Sequence, residues 1–276
     1  MPLTLLVVSS ETPDQQRSRR ETTGAASHET FADTLRGLAP DCAVDRASCV
    51  GGDDPPRGLA TYDGILFPGS PIQMHEDTPE TRAAARFMGR AFEAGCRMFG
   101  SCAGLQIAAV AAGGVVGLRS GAMEVAVARG ISATEAGRGH PLLTGRPCVW
   151  DAPAMHTTVV ETMPDGGTVL ARAEGTPVEA AAIRHGPGVF WGVQYHPEIG
   201  PGEIALTLKG RAASLVEQGM AADEAAVNRY ADALRALDDD PSRRDLAWQL
   251  GLGPEMTDPQ RRTREVANAL AWFRSP

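Results

Sequence analysis

Apolar residues along this chain come in short runs, separated by polar stretches marked with glycine and proline. Residues 3–8 are almost all aliphatic and stop at Ser9-Ser10, a length and composition that predict a buried strand. Residues 11–27 follow as a polar stretch carrying Arg17, Arg19 and Arg20, with little periodicity, and are expected to form a long loop. Residues 31–38 carry helical spacing, residues 42–46 read as a second strand, and Asp63-Gly64-Ile65-Leu66-Phe67 reads as a third. That third run is halted by Pro68-Gly69-Ser70-Pro71. Residues 81–94, rich in Ala and Arg, predict a helix; Arg97-Met98-Phe99 leads into Gly100-Ser101-Cys102, and residues 105–112 predict another helix.

Short apolar strands alternating with helices predict an α/β fold, with a mostly parallel sheet flanked by helices. Right-handed crossovers then put helices on both faces. Ligands in such sheets bind beyond the carboxyl ends of the strands, which is where the Pro68-Gly69 turn and Cys102 fall. Over residues 115–195 the strand-like runs lie at 125–128, 149–150, 168–170, 178–183 and 189–195, with Gly and Pro turns between them. They predict a β-rich continuation of the same domain. Gly200-Pro201-Gly202 marks a break, and residues 204–219, 222–237, 245–250 and 259–273 have helical periodicity. The expected organisation is a main domain over residues 1–200 and an α-helical C-terminal extension over 201–276, without internal repeats. The extension's apolar positions, among them Leu234, Leu250, Val266, Leu270 and Phe273, must bury against its own domain, a second copy or a separate subunit. It carries no candidate nucleophile and is expected to be structural.

Composition narrows the picture. The 276 residues suit one large domain or one domain with an appendage, and 43% hydrophobic content is enough for a core. A formal net charge of −8 argues against a sequence-independent nucleic-acid surface. No stretch reaches transmembrane length, and the leading apolar run is too short for a signal-peptide core, so a soluble, cytoplasmic protein is expected. Five cysteines, odd in number and widely spaced, argue against a disulfide framework. There is no C-x-x-C pair, and neither a metal nor a cofactor is expected. Cys42, Cys96 and Cys148 sit in apolar or mixed runs and are expected to be buried structural thiols. The isolated His75 and His140 have no acid at metal spacing and read as ordinary histidines.

One thiol, Cys102, stands out from the others. Gly100-Ser101-Cys102-Ala103-Gly104 follows an apolar strand and opens a helix, as a thiol version of the G-x-S-x-G nucleophile elbow. Small residues two positions before and after let such a turn close. The helix N-terminus favours a thiolate, and the Ala103 amide faces the space where an oxyanion would form. Downstream, an apolar strand ends in Gln194-Tyr195-His196-Pro197-Glu198. In an extended backbone His196 and Glu198 project to one side, so the carboxylate can orient the imidazole while its other nitrogen faces the thiol. Thiol, base and orienting acid then exist in one chain.

These residues resemble the class I (triad) glutamine amidotransferases, in which a Gly-x-Cys-x-Gly-x-Gln elbow pairs with a downstream Tyr- or Phe-His-Pro-Glu. The match runs from Gly100 through Gln106 and from Gln194 through Glu198, and Pro68-Gly69-Ser70-Pro71 resembles the family's oxyanion turn. The resemblance implies that Cys102 attacks a glutamine carboxamide to give a γ-glutamyl thioester, with His196 as proton carrier held by Glu198. It also implies an oxyanion hole from the Gly69 and Ala103 amides, and substrate binding by Ser70, Gln106, Met155 and His156. The chain departs from the family where Met155 stands in place of a serine and Thr158 in place of an acid.

Ammonia transfer needs a second activity, and neither a P-loop nor a Ser-Gly-Gly-x-Asp-Ser pyrophosphatase loop is present. The first expectation is therefore a glutaminase that hands ammonia to a separate synthase subunit. The second is a stand-alone hydrolase of γ-glutamyl amides or peptides, and the third a non-catalytic protein on the same scaffold. The expected ligand is glutamine or a γ-glutamyl amide, with no nucleic-acid or membrane partner and room for a homo-oligomer.

Overall fold

The computed structural model describes residues 2–52 and 54–275. In chain order the first half runs β1 (Thr4–Ser9), α1 (Pro13–Thr23), α2 (Ser27–Leu38), β2 (Ala43–Ser48), β3 (Gly64–Phe67), α3 (Pro79–Glu93), β4 (Arg97–Ser101) and α4 (Ala103–Ala111). The β-rich part follows as β5 (Val115–Leu118), β6 (Glu124–Ala133), α5 (Glu135–Arg138), β7 (Val149–His156), β8 (Thr158–Thr162), β9 (Gly167–Ala173), β10 (Thr176–His185) and β11 (Gly188–Val193). Nine strands form one sheet in the order β2-β1-β3-β4-β11-β10-β9-β6-β7, and β5 pairs with β8 in a small separate ribbon. The five strands from β2 to β11 are mutually parallel, and the four beyond β11 are antiparallel.

The parallel strands are apolar on both sides because both sides are covered. Leu6 and Val8 of β1 pack with Ile65, Phe67 and Met98 beneath α3 and α4. Leu5 and Val7 face the other way, toward Leu66, Phe99 and the α2 residues Phe31 and Leu35. This alternation is the period-2 geometry of a strand placed between two helical layers.

One expected loop is a helix. Residues 13–23 form α1, although none of its side chains is buried and so no apolar stripe announces it. Its ends define it instead. Thr12 Oγ1 accepts from the Gln15 amide at 3.3 Å, and Gln15 Oε1 accepts from the Thr12 amide at 2.9 Å. Pro13 occupies the first turn, and Gly24 closes the helix at φ 89°. A second correction concerns the thiols. Cys96 is buried, but Cys42 is only half-buried and Cys148 is exposed. Cys148 precedes β7, the edge strand, where Val149 is exposed as well, so the apolar run there marks a sheet edge.

The C-terminal helices are α6 (Pro201–Gly210), α7 (Ala212–Glu217), α8 (Glu224–Asp239), α9 (Arg244–Leu250), α10 (Pro254–Thr257), α11 (Pro259–Arg262) and α12 (Arg264–Arg274). They bury their apolar faces on the sheet. Leu208, Leu215, Val227 and Leu234 pack with Ala126 and Val127 of β6, whereas Val266, Leu270 and Phe273 complete the core beneath β1 and β4. Among the described residues no helix is long and apolar enough to cross a membrane.

A buried ionic cluster fixes α12. Arg146, with a side chain 2% exposed, meets Glu265 at 2.5 Å and Glu255 at 2.5 Å. The Tyr195 hydroxyl donates to Glu265 at 2.8 Å, which ties α12 to the segment that follows β11. Replacing Arg146 by Ala leaves Glu265 buried without its cation, and loss of one partner of such a pair costs about 3–5 kcal/mol. Urea unfolding of Arg146→Ala should show a loss of that size. A loss below about 1 kcal/mol, the range of an exposed pair, would mean that the cluster is not anchoring the helix.

Candidate active site

β4 passes directly into α4, and Cys102 is the hinge residue between them. Its backbone sits at φ 49°, ψ −106°, a conformation that an L residue adopts at a cost of about 1–3 kcal/mol. The surroundings leave no alternative. A Cβ at Gly100 would lie 2.8 Å from the Phe67 carbonyl oxygen and 3.1 Å from Gly104 Cα, and a Cβ at Gly104 would run into the same carbonyl. The turn is held by the Cys102 amide donating to Val193 O at 2.8 Å, and by the Leu105 and Gln106 amides donating back to Cys102 O. Cys102 thereby projects from the carboxyl end of β4, beside the end of β11.

β11 delivers the partner residues. The His196 amide donates to Pro153 O at 2.7 Å. His196 Nδ1 lies 2.9 Å from Glu198 Oε1, which also accepts from Ser101 Oγ at 3.0 Å. Burial works against a charged imidazole, but the negative charges at Cys102 and Glu198, with their hydrogen bonds, outweigh it and raise His196 to about 10. Gly69 packs against the same group: a Cβ there would strike His196 Cε1 and lie 3.3 Å from Cys102 Cβ. The Gly69 amide donates to no backbone acceptor among the described residues, and Ala103 stands at the first helical position, where an amide has no intrahelical partner. A thiol and an imidazole held by a carboxylate, beside two amides without a backbone partner, can support nucleophilic attack on a carbonyl.

These residues open onto a cavity of about 440 Å³. Cys102, His196, Glu198, Gly69, Ser70 and Met155 all line it. Ser70 Oγ accepts from Ser10 Oγ at 2.7 Å, which joins the end of β1 to the turn. Gln106 and His156 do not line the cavity. Gln106 Nε2 donates to Thr158 O and to Gln194 Oε1, and its Oε1 accepts from Thr158 Oγ1. His156 is held between Glu124 and Thr158 O.

The far wall was hidden in the sequence. α1 supplies Arg19, α6 supplies Thr207, Arg211 stands between α6 and α7, and Glu11 comes from the loop between β1 and α1. Arg19 pairs with Glu203 across the two helices and lies 4.0 Å from Glu11. Burial pushes the Glu203 carboxyl up, and Arg19 pulls against it. Glu11 is itself buried and accepts from Ser27 Oγ at 2.7 Å. The first helix of the extension therefore forms part of the cavity wall. Of Arg17, Arg19 and Arg20 in the polar stretch after the first strand, Arg19 is the one that lines the cavity, and the helix that carries it is marked in sequence only by Thr12, Gln15 and Gly24.

The sequence model of the family Glutamine amidotransferase class-I matches residues 45–208. The chain belongs to that family. It is 34% identical over 223 residues to a γ-glutamyl-L-1-hydroxyisopropylamide hydrolase of a Pseudomonas species, covering 79% of this chain and 75% of that protein. It is also 34% identical over 139 residues to a glutamine-hydrolysing GMP synthase of Leifsonia xyli subsp. xyli, but this covers 49% of the chain and only 26% of the synthase. A glutamine amidotransferase structure from Thermotoga maritima superposes over 99% of this chain and 98% of its own, with a TM-score of 0.67 at 13% identity, a likeness of fold. Family membership and these relatives make the chain an amide-hydrolysing enzyme of the class I glutamine amidotransferase type.

The imidazole at the elbow offers a direct titration. A raised value means that the imidazolium persists above the ordinary imidazole range and is lost as pH rises through about 10. NMR of ring-labelled histidine should find one imidazole still protonated at pH 8. Cys102→Ala and Glu198→Gln each remove an anion and should lower that midpoint. A His196 midpoint near 6.5 in the wild type, unmoved by either variant, would contradict the charge arrangement.

Proposed function

We propose that the chain is a stand-alone hydrolase of N-substituted γ-glutamyl amides. Cys102 is its nucleophile, His196 its general base and acid, and Glu198 the residue that orients His196. Cys102 Sγ attacks the γ-carbonyl carbon while His196 already holds the thiol proton. The oxyanion that forms accepts from the Gly69 and Ala103 amides. Collapse breaks the C–N bond while His196 hands its proton to the departing amine, leaving a γ-glutamyl thioester. Water, deprotonated by His196, then attacks the thioester, and glutamate leaves as the thiol is restored. General acid–base assistance of this kind contributes about 10²–10⁴-fold.

The observation that carries this reading is the cavity. It reaches from Cys102 to α1 and α6, and about 440 Å³ is far more room than the NH₂ of a carboxamide needs. It can hold a glutamyl moiety and an amine substituent together, and small-ligand sites have this scale. The charged wall formed by Glu11, Arg19 and Arg211 suits the amino and carboxylate ends of a γ-glutamyl group. Gln106 and His156 then support the wall from behind without touching substrate. Similarity over most of its length to a γ-glutamyl hydroxyalkylamide hydrolase supports the same reading.

A glutaminase that passes ammonia to a separate synthase is the second reading, favoured by the GMP synthase relatives that align with about half of the chain. Steady-state assays of the purified protein separate the two. A γ-glutamyl-N-alkylamide should be turned over with at least a tenfold higher kcat/KM than glutamine, without any partner. Preference for glutamine, with activity appearing only when a synthase is added, would favour the second reading. His196→Ala should reduce kcat by about 10²–10⁴-fold, and Glu198→Gln by less, because the carboxylate orients the base without itself moving a proton. Near-normal turnover by His196→Ala would remove the proposed base.

A further inference from the structure

We propose that Glu124, His156 and Glu179 form a binding site for a divalent cation of the zinc or manganese class, behind the nucleophile. The three come from the start of β6, the end of β7 and the middle of β10, and one ligand atom from each lies within 4.8 Å of the others. Glu179 is completely buried, and neither of its carboxylate oxygens has a hydrogen-bond partner. A carboxylate in that position demands either a proton or a cation.

The geometry of His156 favours a cation. Its Nδ1 lies 3.1 Å from the Thr158 carbonyl, which can only accept, so Nδ1 carries the hydrogen. That leaves Nε2 as the nitrogen placed to ligate, and it faces Glu124 Oε2 at 2.8 Å. The Glu179 carboxylate stands beside them. A bound cation satisfies all three. A histidine whose Nδ1–H is held by a backbone carbonyl is the usual arrangement of a metal-ligating imidazole. Arg119 lies 3.6 Å from Glu124 Oε1 and Thr176 Oγ1 donates to Glu124 Oε2 at 3.4 Å, whereas the Glu179 carboxylate receives no hydrogen bond. An imidazole with two carboxylates suits zinc or a first-row divalent ion.

The site would brace the elbow. The Glu179 carbonyl accepts from the Gln194 amide at 2.8 Å, and Gln194 Nε2 lies 3.5 Å from Cys102 Sγ. On the other side, Thr158 O receives both His156 and Gln106 Nε2, and Gln106 also meets Gln194. The cation would therefore hold the layer on which Gln194 and the nucleophile rest, without entering the reaction.

The test uses the full chain as Cys102→Ala, stripped with chelator, so that the elbow thiol cannot bind metal. Zinc(II) and manganese(II) are titrated by calorimetry, and cobalt(II) by visible absorption. One ion per chain is expected for at least one of zinc and manganese, with cobalt d–d bands. Affinity should fall at least tenfold in Glu179→Gln and in His156→Gln, each checked for native circular dichroism. If His156→Gln fails to fold, Glu179→Gln and Glu124→Gln carry the comparison. Absence of stoichiometric binding by the Cys102→Ala protein, or equal affinity in Glu179→Gln, overturns the site.

Discussion

The left-handed backbone of Cys102 is the constraint from which the site follows. An L residue at φ 49° is tolerated only if its neighbours make room and its hydrogen bonds lock it. Gly100 and Gly104 make the room, because any side chain at either position would collide with the Phe67 carbonyl of the adjacent strand. Val193 of β11 supplies the lock. The strain therefore needs both parallel neighbours of β4, and the same neighbours carry the proposed oxyanion donor and base. β3 runs on into the Gly69 turn, and β11 into the segment that bears His196.

Electrostatics completes what sterics begins. His196 is buried, which by itself disfavours its charged form, yet two anionic neighbours reverse the balance. That works only while His196 and Glu198 are held at 2.9 Å. The hold extends well beyond the site. Tyr195 is pinned by Glu265 of α12, and Glu265 by Arg146, so the last helix of the chain steadies the residue next to the proposed base. The extension also reaches the site from the other side, where α6 pairs with α1 across the cavity through Glu203 and Arg19.

The parallel half of the fold was legible because its strands are apolar on both faces and its turns are marked by Gly and Pro. The elbow and the His-Pro-Glu run were legible because their chemistry depends on neighbours in sequence. What stayed hidden depends on contacts between distant segments. α1 has no buried side chain, so periodicity is silent there and only its caps speak. Cys148 looked buried because a sheet edge and a sheet centre can share an apolar composition, and only strand order separates them. Glu124, His156 and Glu179 converge from three strands, at separations no motif describes. Gln106 followed the family pattern in sequence, but its amide is spent on Thr158 and Gln194, inside the wall.

Backbone geometry and charge, rather than exposure, set Cys102 apart as the proposed reactive thiol. Cys148 is exposed but unsupported, whereas Cys49 and Cys96 are buried, with their thiols pushed up to about 12 and about 11 by burial. The most direct measurement treats the folded protein with a glutamine-like chloroketone near neutral pH and follows each cysteine by peptide mass spectrometry. Cys102 should be labelled first and selectively, at a rate well above that of Cys148. Labelling of Cys148 as fast as Cys102, or a Cys102 that stays unmodified while Cys148 reacts, would contradict the claim.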